Sequence, residues 1–229
     1  MINTDVGRRQ LLHTVLSGAV LGAAAQAGIE LGSPRKLHAQ IGLSPDEALQ
    51  EMLTGNQRFA ANQLTSIRHD LIIMKERTVN KQAPFAAVLT CADSRIPVEL
   101  VFDQTIGHIF VTRVAGNVVT PEIVASLEFG VAVLGVKALL VIGHSNCGAV
   151  KAAMTTENVP GQISVLYQRI HPAIEKSGGN LEKAIHANSK IQAELLRASS
   201  TVIREATKAG QLRVDSAVYD LATGKVSVI

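Results

Sequence analysis

The chain has two cysteines, Cys91 and Cys147, and a histidine, His144, stands three residues before the second. Cys and neutral His are favoured zinc ligands, and a catalytic zinc takes three protein ligands with a fourth position left for water. Two Cys and one His meet that count. Copper would accept the same donors, but nothing selects it, and magnesium or calcium would want oxygen. Spacing alone leaves two other readings open: a pair of buried, inert thiols, or a single disulfide. The run Cys91-Ala92-Asp93-Ser94-Arg95 weighs against both. A carboxylate and a guanidinium cannot both sit buried at a strand end unless they pair or serve a site, and a carboxylate so held can orient a metal-bound water.

The elements that must position these residues follow from the apolar pattern. Short buried-type runs at 85–90, 109–112 and 138–142, each closed by polar residues or glycine, predict strands. Between the last two, Thr120-Pro121-Glu122 opens a helix that reaches about Leu134, with Gly135 at its end. Strand, helix, strand predicts a right-handed crossover and a parallel sheet. A first helix over 44–62 starts at Ser44-Pro45, and a helix with a linker is expected over 68–81. Helices follow at about 147–154 and 163–177, then one long helix over 180–209 ended by Gly210. The tail reads as a strand at 212–219, a turn at 222–225 and a short partner strand at 226–229. The fold class is α/β: a central, mostly parallel sheet of four parallel strands with a C-terminal antiparallel edge strand, flanked by helices. In such sheets ligands bind outside the carboxyl ends of the strands. Cys91 follows the first strand, and His144 and Cys147 follow the third.

Composition narrows the function classes. Hydrophobic residues make up 47% of the 229 residues and aromatics only 3%, which suits strands buried on both faces. Of 22 basic and 19 acidic residues, four and two lie within the first 39, so the remainder carries 18 and 17. A nearly neutral body without a basic run offers neither a nucleic-acid groove nor a membrane-surface patch. Residues 1–39 read as an export leader. Arg8-Arg9 precedes an Ala/Gly-rich apolar stretch over 15–29 that is too weakly hydrophobic for a stable membrane span. It resembles a twin-arginine signal, a route for proteins already folded, and it implies a periplasmic location. Cleavage fits after Ala27 or after Ala39. The remaining residues, 40–229, form one catalytic domain.

The two segments Cys91-Ala92-Asp93-Ser94-Arg95 and His144-Ser145-Asn146-Cys147-Gly148 resemble the signature motifs of the β-carbonic anhydrases, and the likeness runs from about Glu47 to the turn at 219–224. It implies one Zn2+ per subunit on Cys91, His144 and Cys147. Asp93 orients the zinc-bound hydroxide, held by Arg95, or becomes a fourth zinc ligand in an inactive form. It further implies a substrate pocket of Gln82, Phe110, Phe129 and Gly148, with Phe129 standing where tyrosine is common. Those pockets form between subunits, so a homodimer or higher homo-oligomer is expected. The regulated subtype depends on a tryptophan, and the chain has none, so the open, plant-like subtype is expected. The reaction implied is reversible hydration of carbon dioxide to bicarbonate and a proton. Hydrolysis of carbonyl sulfide or carbon disulfide and a non-catalytic zinc module are the alternatives. His108 receives no shuttle role, because a lone histidine in a turn is more often a surface residue.

Overall fold

The computed structural model describes residues 42–65, 78–155 and 160–229. The leader therefore lies outside the described residues, as does most of the helix expected over 68–81. Helix α1 (Pro45–Ala60) begins at Ser44, whose hydroxyl accepts from the Glu47 N–H while the Glu47 carboxylate accepts from the Ser44 N–H, a reciprocal capping box. Its apolar stripe, Ala48, Leu49 and Met52, is buried. Asn56 on the same helix donates to the carbonyls of Val101 and Gly224 and accepts from the Val226 N–H, tying α1 to the chain's tail.

Five strands make one sheet: β1 (Ala86–Thr90), β2 (Ile109–Arg113), β3 (Ala138–His144), β4 (Arg213–Tyr219) and β5 (Val226–Val228). The order is β2-β1-β3-β4-β5. Every neighbouring pair is parallel except β4 with β5, as expected. Successive side chains of a strand face opposite ways, and here both faces are apolar. Val88 and Leu140 pack into one layer with Met52 and Phe102. Leu89 and Val141 pack into the other with Leu196 and Ile203. The chain leaves β1 for β2 on one side and returns to β3 on the other. That reversal opens a crevice at the carboxyl ends of β1 and β3.

The helices between strands are α2 (Val98–Val101), α3 (Pro121–Ala132), α4 (Gly148–Thr155), α5 (Ser164–Ser177), α6 (Leu181–Ser199) and α7 (Thr201–Lys208). One expectation fails here. The single helix over 180–209 is two, broken at Ser200, whose backbone is extended. The Ser200 hydroxyl caps α7 by accepting from the Ile203 N–H and donates to Glu128 at 2.6 Å. A buried Ser that satisfies both an orphan helix N–H and a carboxylate is worth more as a cap than as a helix interior residue. The short helix α2 and a 3-10 turn at Ala115–Asn117 were not expected either. Among the described residues, no helix is long and apolar enough to cross a membrane.

Candidate metal centre

Cys91 immediately follows β1, His144 is the last residue of β3, and Cys147 immediately precedes α4. All three are buried. The two strand ends are stitched together by the Thr90 hydroxyl, which donates to the Ile142 carbonyl at 3.0 Å. Between His144 and Cys147 the chain turns through Asn146 in the left-handed region, φ 53°, a conformation that Asn tolerates better than most residues. The turn is held from the neighbouring strand: the Ser145 N–H donates to the Tyr219 carbonyl, and the Leu221 N–H donates to the Ser145 hydroxyl.

One ligand atom from each of Cys91, His144 and Cys147 lies within 4.8 Å of the others, and the two sulfurs are 4.0 Å apart. Two zinc–sulfur bonds of about 2.3 Å at a tetrahedral angle span roughly 3.8 Å. The thiol pair therefore matches a zinc ion to within a few tenths of an ångström. His144 Nδ1 lies 2.9 Å from the Ser145 carbonyl, which assigns the proton to Nδ1 and turns the lone pair of Nε2 toward the sulfurs. That Nε2 is buried without a hydrogen bond among the described residues. A buried nitrogen lone pair with no donor is costly unless a cation takes it.

The thiols reinforce this reading. The hydrogen bond shared with Cys147 pulls the Cys91 thiol well below the usual thiol range; burial opposes, and the Gly116 N–H assists. The same hydrogen bond, then burial and the Cys91 charge, push Cys147 up. Two buried sulfurs 4.0 Å apart cannot both carry charge without a compensating cation. A divalent cation would supply that compensation to both thiolates.

Asp93 and Arg95 pair as expected, although not in a buried site. Asp93 Oδ1 accepts from the Arg95 N–H and Nε at 3.0 and 2.9 Å, and Oδ2 accepts from Nη2 at 2.7 Å. The Arg95 side chain is 53% exposed and that of Asp93 17%. The hydrogen bonds from Arg95 hold the Asp93 carboxyl well below the usual carboxylate range. Asp93 Oδ2 lies 3.7 Å from His144 Nε2, at the rim of the ligand cluster. Gly148 opens α4 beside Cys147, and a Cβ added there would meet nothing within 4 Å, so the space over it is open.

The remaining expected pocket residues lie elsewhere in the chain. Gln82 is exposed, four residues before β1. Phe110 pairs in register with Ala87 near the start of β1; from Ala87 to Cys91 is about 13 Å of strand. Phe129, 45% exposed on α3, has its ring 6.4 Å from that of Phe110. The structure joins the two phenylalanines at the amino end of the sheet and the ligands at its carboxyl end. His108, one residue before β2, packs edge-on against Phe85, also at the amino end.

Two contributors escaped sequence reasoning. The Gly116 N–H donates to Cys91 Sγ at 3.3 Å. Gly116 has φ 74°, and a Cβ there would come within 2.8 Å of Ile170 Cδ1, so the position requires glycine. Arg113 donates from Nε to the Cys91 carbonyl at 3.0 Å and from Nη2 to the Asp93 carbonyl. The signal available was the Gly116-Asn117 pair just past a strand end, a turn dipeptide with left-handed preference.

Comparisons with known proteins agree with this geometry. The family model described as carbonic anhydrase matches residues 86–226. A carbonic anhydrase of Mycolicibacterium smegmatis is 34% identical over 195 residues, covering 81% of this chain and 93% of that protein. The solved Coccomyxa β-carbonic anhydrase, in complex with acetazolamide, is 28% identical with a TM-score of 0.62, covering 79% of this chain and 86% of that one. One of two tetrameric β-carbonic anhydrases of Sordaria macrospora shares the fold, with a TM-score of 0.63 at 22% identity over 79% of this chain and 96% of that one. The buried Cys-His-Cys cluster at two adjacent strand ends, the sheet order and these likenesses agree: the chain belongs to the β-carbonic anhydrase family of enzymes.

Proposed function

We propose that the chain catalyses the reversible hydration of carbon dioxide, in which water and carbon dioxide give bicarbonate and a proton, with one zinc ion held by Cys91, His144 and Cys147. The observation that carries this reading is the ligand cluster with an anionic carboxylate fixed at its rim, Asp93 Oδ2 at 3.7 Å from His144 Nε2. When bound, zinc supplies the Lewis acidity that makes water a nucleophile near neutral pH.

The chain's own residues do the rest. Three hydrogen bonds from Arg95 leave Asp93 ionised and fixed, so that it accepts a hydrogen bond from the nucleophile's O–H and aims the oxygen lone pair at carbon. Because both Asp93 oxygens accept from Arg95, the carboxylate is already engaged and less available to a metal. This favours the open subtype over the inactive, Asp93-ligated form. Gly148 leaves room for the reacting molecule beside Cys147. Carbon dioxide is apolar, and Phe110 and Phe129 offer an apolar wall. They lie at the far end of the sheet from their own ligands, so we assign them, with Gln82, to the site of a second subunit in a homodimer or larger assembly. We further read residues 1–39 as a twin-arginine leader to the periplasm and 40–229 as the mature catalytic domain.

Stopped-flow carbon dioxide hydration by the zinc-loaded protein tests the reaction. The wild type is expected to exceed the buffer rate by orders of magnitude. Asp93→Ala is expected to keep its zinc and lose about 10²-fold in kcat. A zinc-loaded wild type no faster than buffer at mildly alkaline pH would sink the proposal.

A further inference from the structure

Two buried amides on α6 lie against the segment that supplies the Cys91 hydrogen bond. Asn188 and Gln192 are one helical turn apart, and each is 1% exposed. Asn188 Nδ2 donates to the Gly116 carbonyl at 2.8 Å. Gln192 Oε1 accepts from the Val119 N–H at 2.8 Å. The two side chains are bonded to each other, Gln192 Nε2 to Asn188 Oδ1 at 3.2 Å, and Gln192 Nε2 also donates to the Arg169 carbonyl at 3.0 Å. Arg169 returns a bond from Nη1 to the Val119 carbonyl at 2.9 Å. The loop over 116–119 is thus pinned at both ends.

The loop needs pinning. Gly116 and Asn117 both have positive φ, 74° and 44°, and a non-glycine residue in that region persists only where its surroundings over-determine it. Gly116 is gripped on both sides: its N–H points at Cys91 Sγ and its carbonyl is taken by Asn188. The same stretch of α6 also touches the other ligand strand. A Cβ at Gly143, next to His144, would fall 2.4 Å from Ser189 Oγ and 3.1 Å from Ile185 Cγ2, so the strand has no side chain of its own there and the helix side chains pack directly on its backbone.

We infer that Asn188 and Gln192 are positioning residues for the metal centre, acting through Gly116: they hold its N–H on the Cys91 sulfur and so set how much charge that thiolate gives the metal. An N–H donor on a ligating sulfur withdraws electron density from the metal–sulfur bond, and outer partners of this kind tune metal affinity by about 10–100-fold. The inference rests on Cys91 being a metal ligand.

The test uses the full zinc-loaded protein and its cobalt(II)-substituted form. Zinc affinity is read by competition with a chromophoric chelator, and thiolate donation by the sulfur-to-cobalt charge-transfer band. Asn188→Ala is expected to weaken zinc binding about tenfold, because the Cys91 sulfur is no longer held in place, and to move the band to lower energy, because a sulfur without its N–H donor gives up charge more readily. Gln192→Met, which keeps side-chain volume, frees the Val119 end and removes the bonds to Asn188 and Arg169 while leaving the Asn188–Gly116 bond, is expected to do the same to a smaller degree. Ser177→Ala removes a buried hydroxyl whose bonds stay within α5 and the turn after it, and is expected to leave both readouts unchanged. Folded Asn188→Ala or Gln192→Met protein with wild-type affinity and a wild-type band would overturn the inference, as would an equal shift in Ser177→Ala. Failure of the wild type itself to bind zinc, or to show a thiolate band with cobalt, would instead remove the metal-site reading beneath it.

Discussion

The two ends of the sheet are built differently. At the carboxyl end, Cys91, His144 and Cys147 are buried and held by backbone and side-chain bonds from Thr90, Gly116, Ser145 and Tyr219. At the amino end, Gln82 and Phe129 are exposed and Phe110 is only partly covered. A metal centre must be rigid within one chain, since ligands misplaced by a fraction of an ångström lose the ion. A surface that completes a neighbour's pocket must instead be left uncovered until the neighbour arrives. Helix α3 shows the same: it is apolar around much of its circumference, yet only Leu127 and Gly130 are buried. A helix of that kind is ordinarily enclosed.

The largest effect is expected at the rigid end. Cys147→Ser should abolish stoichiometric zinc and reduce carbon dioxide hydration to the background rate, measured by metal analysis and stopped flow. Arg95→Ala should keep zinc and lower kcat about 10²-fold, because Asp93 then swings free. At the exposed end the effect is expected to be smaller and, on the assignment proposed above, to fall on another subunit. Gln82→Ala should lose about 1 kcal/mol of substrate binding, roughly fivefold in KM. Mixed with Cys147→Ser protein under subunit exchange, it should yield some sites of wild-type KM. If the mixture shows only the parental KM, the pocket is not shared between subunits.

Two weaker effects concern the frame rather than the site. Ser200→Ala should lower stability by about 1–2 kcal/mol in denaturant unfolding, from the lost cap and the stranded Glu128, with kcat unchanged. Asp220, in the turn that braces Ser145, accepts from the N–H groups of Thr223 and Ala222, and the Thr223 backbone hydrogen bond is the first of the bonds that hold its carboxyl below the ordinary range. Its contribution is therefore fully present above about pH 4, the unfolded value, and is lost as pH falls through the folded value. Asp220→Asn should lower Tm slightly at neutral pH, and the difference from wild type should shrink in acid.

Much of this was legible in the residues themselves. The strands announced themselves because parallel strands in such a sheet are short, continuous apolar runs, and 86–89, 109–111 and 138–142 are such runs. Ser44-Pro45 and Thr120-Pro121 marked helix starts because an N-cap followed by proline has one physical meaning. The break at Ser200 was missed because Ser199-Ser200-Thr201 interrupts an otherwise unbroken helical periodicity, and the partner that makes Ser200 a cap, Glu128, is 72 residues away. The ligands were legible because few residue types bind zinc. Gly116, Asn188 and Gln192 were not, because what they contribute is a backbone direction and two buried amides, and only the fold brings these to Cys91.

Three side chains from two strand ends are expected to hold a metal and to leave one position open. Zinc-edge X-ray absorption on the loaded protein at mildly alkaline pH tests this directly. The expected result is two sulfur neighbours at about 2.3 Å, one imidazole nitrogen at about 2.0–2.1 Å, and one light ligand that exchanges with added anions. Loss of exchange with a carboxylate in the fourth position would contradict the open site, and fewer than two sulfurs would contradict the ligand set itself.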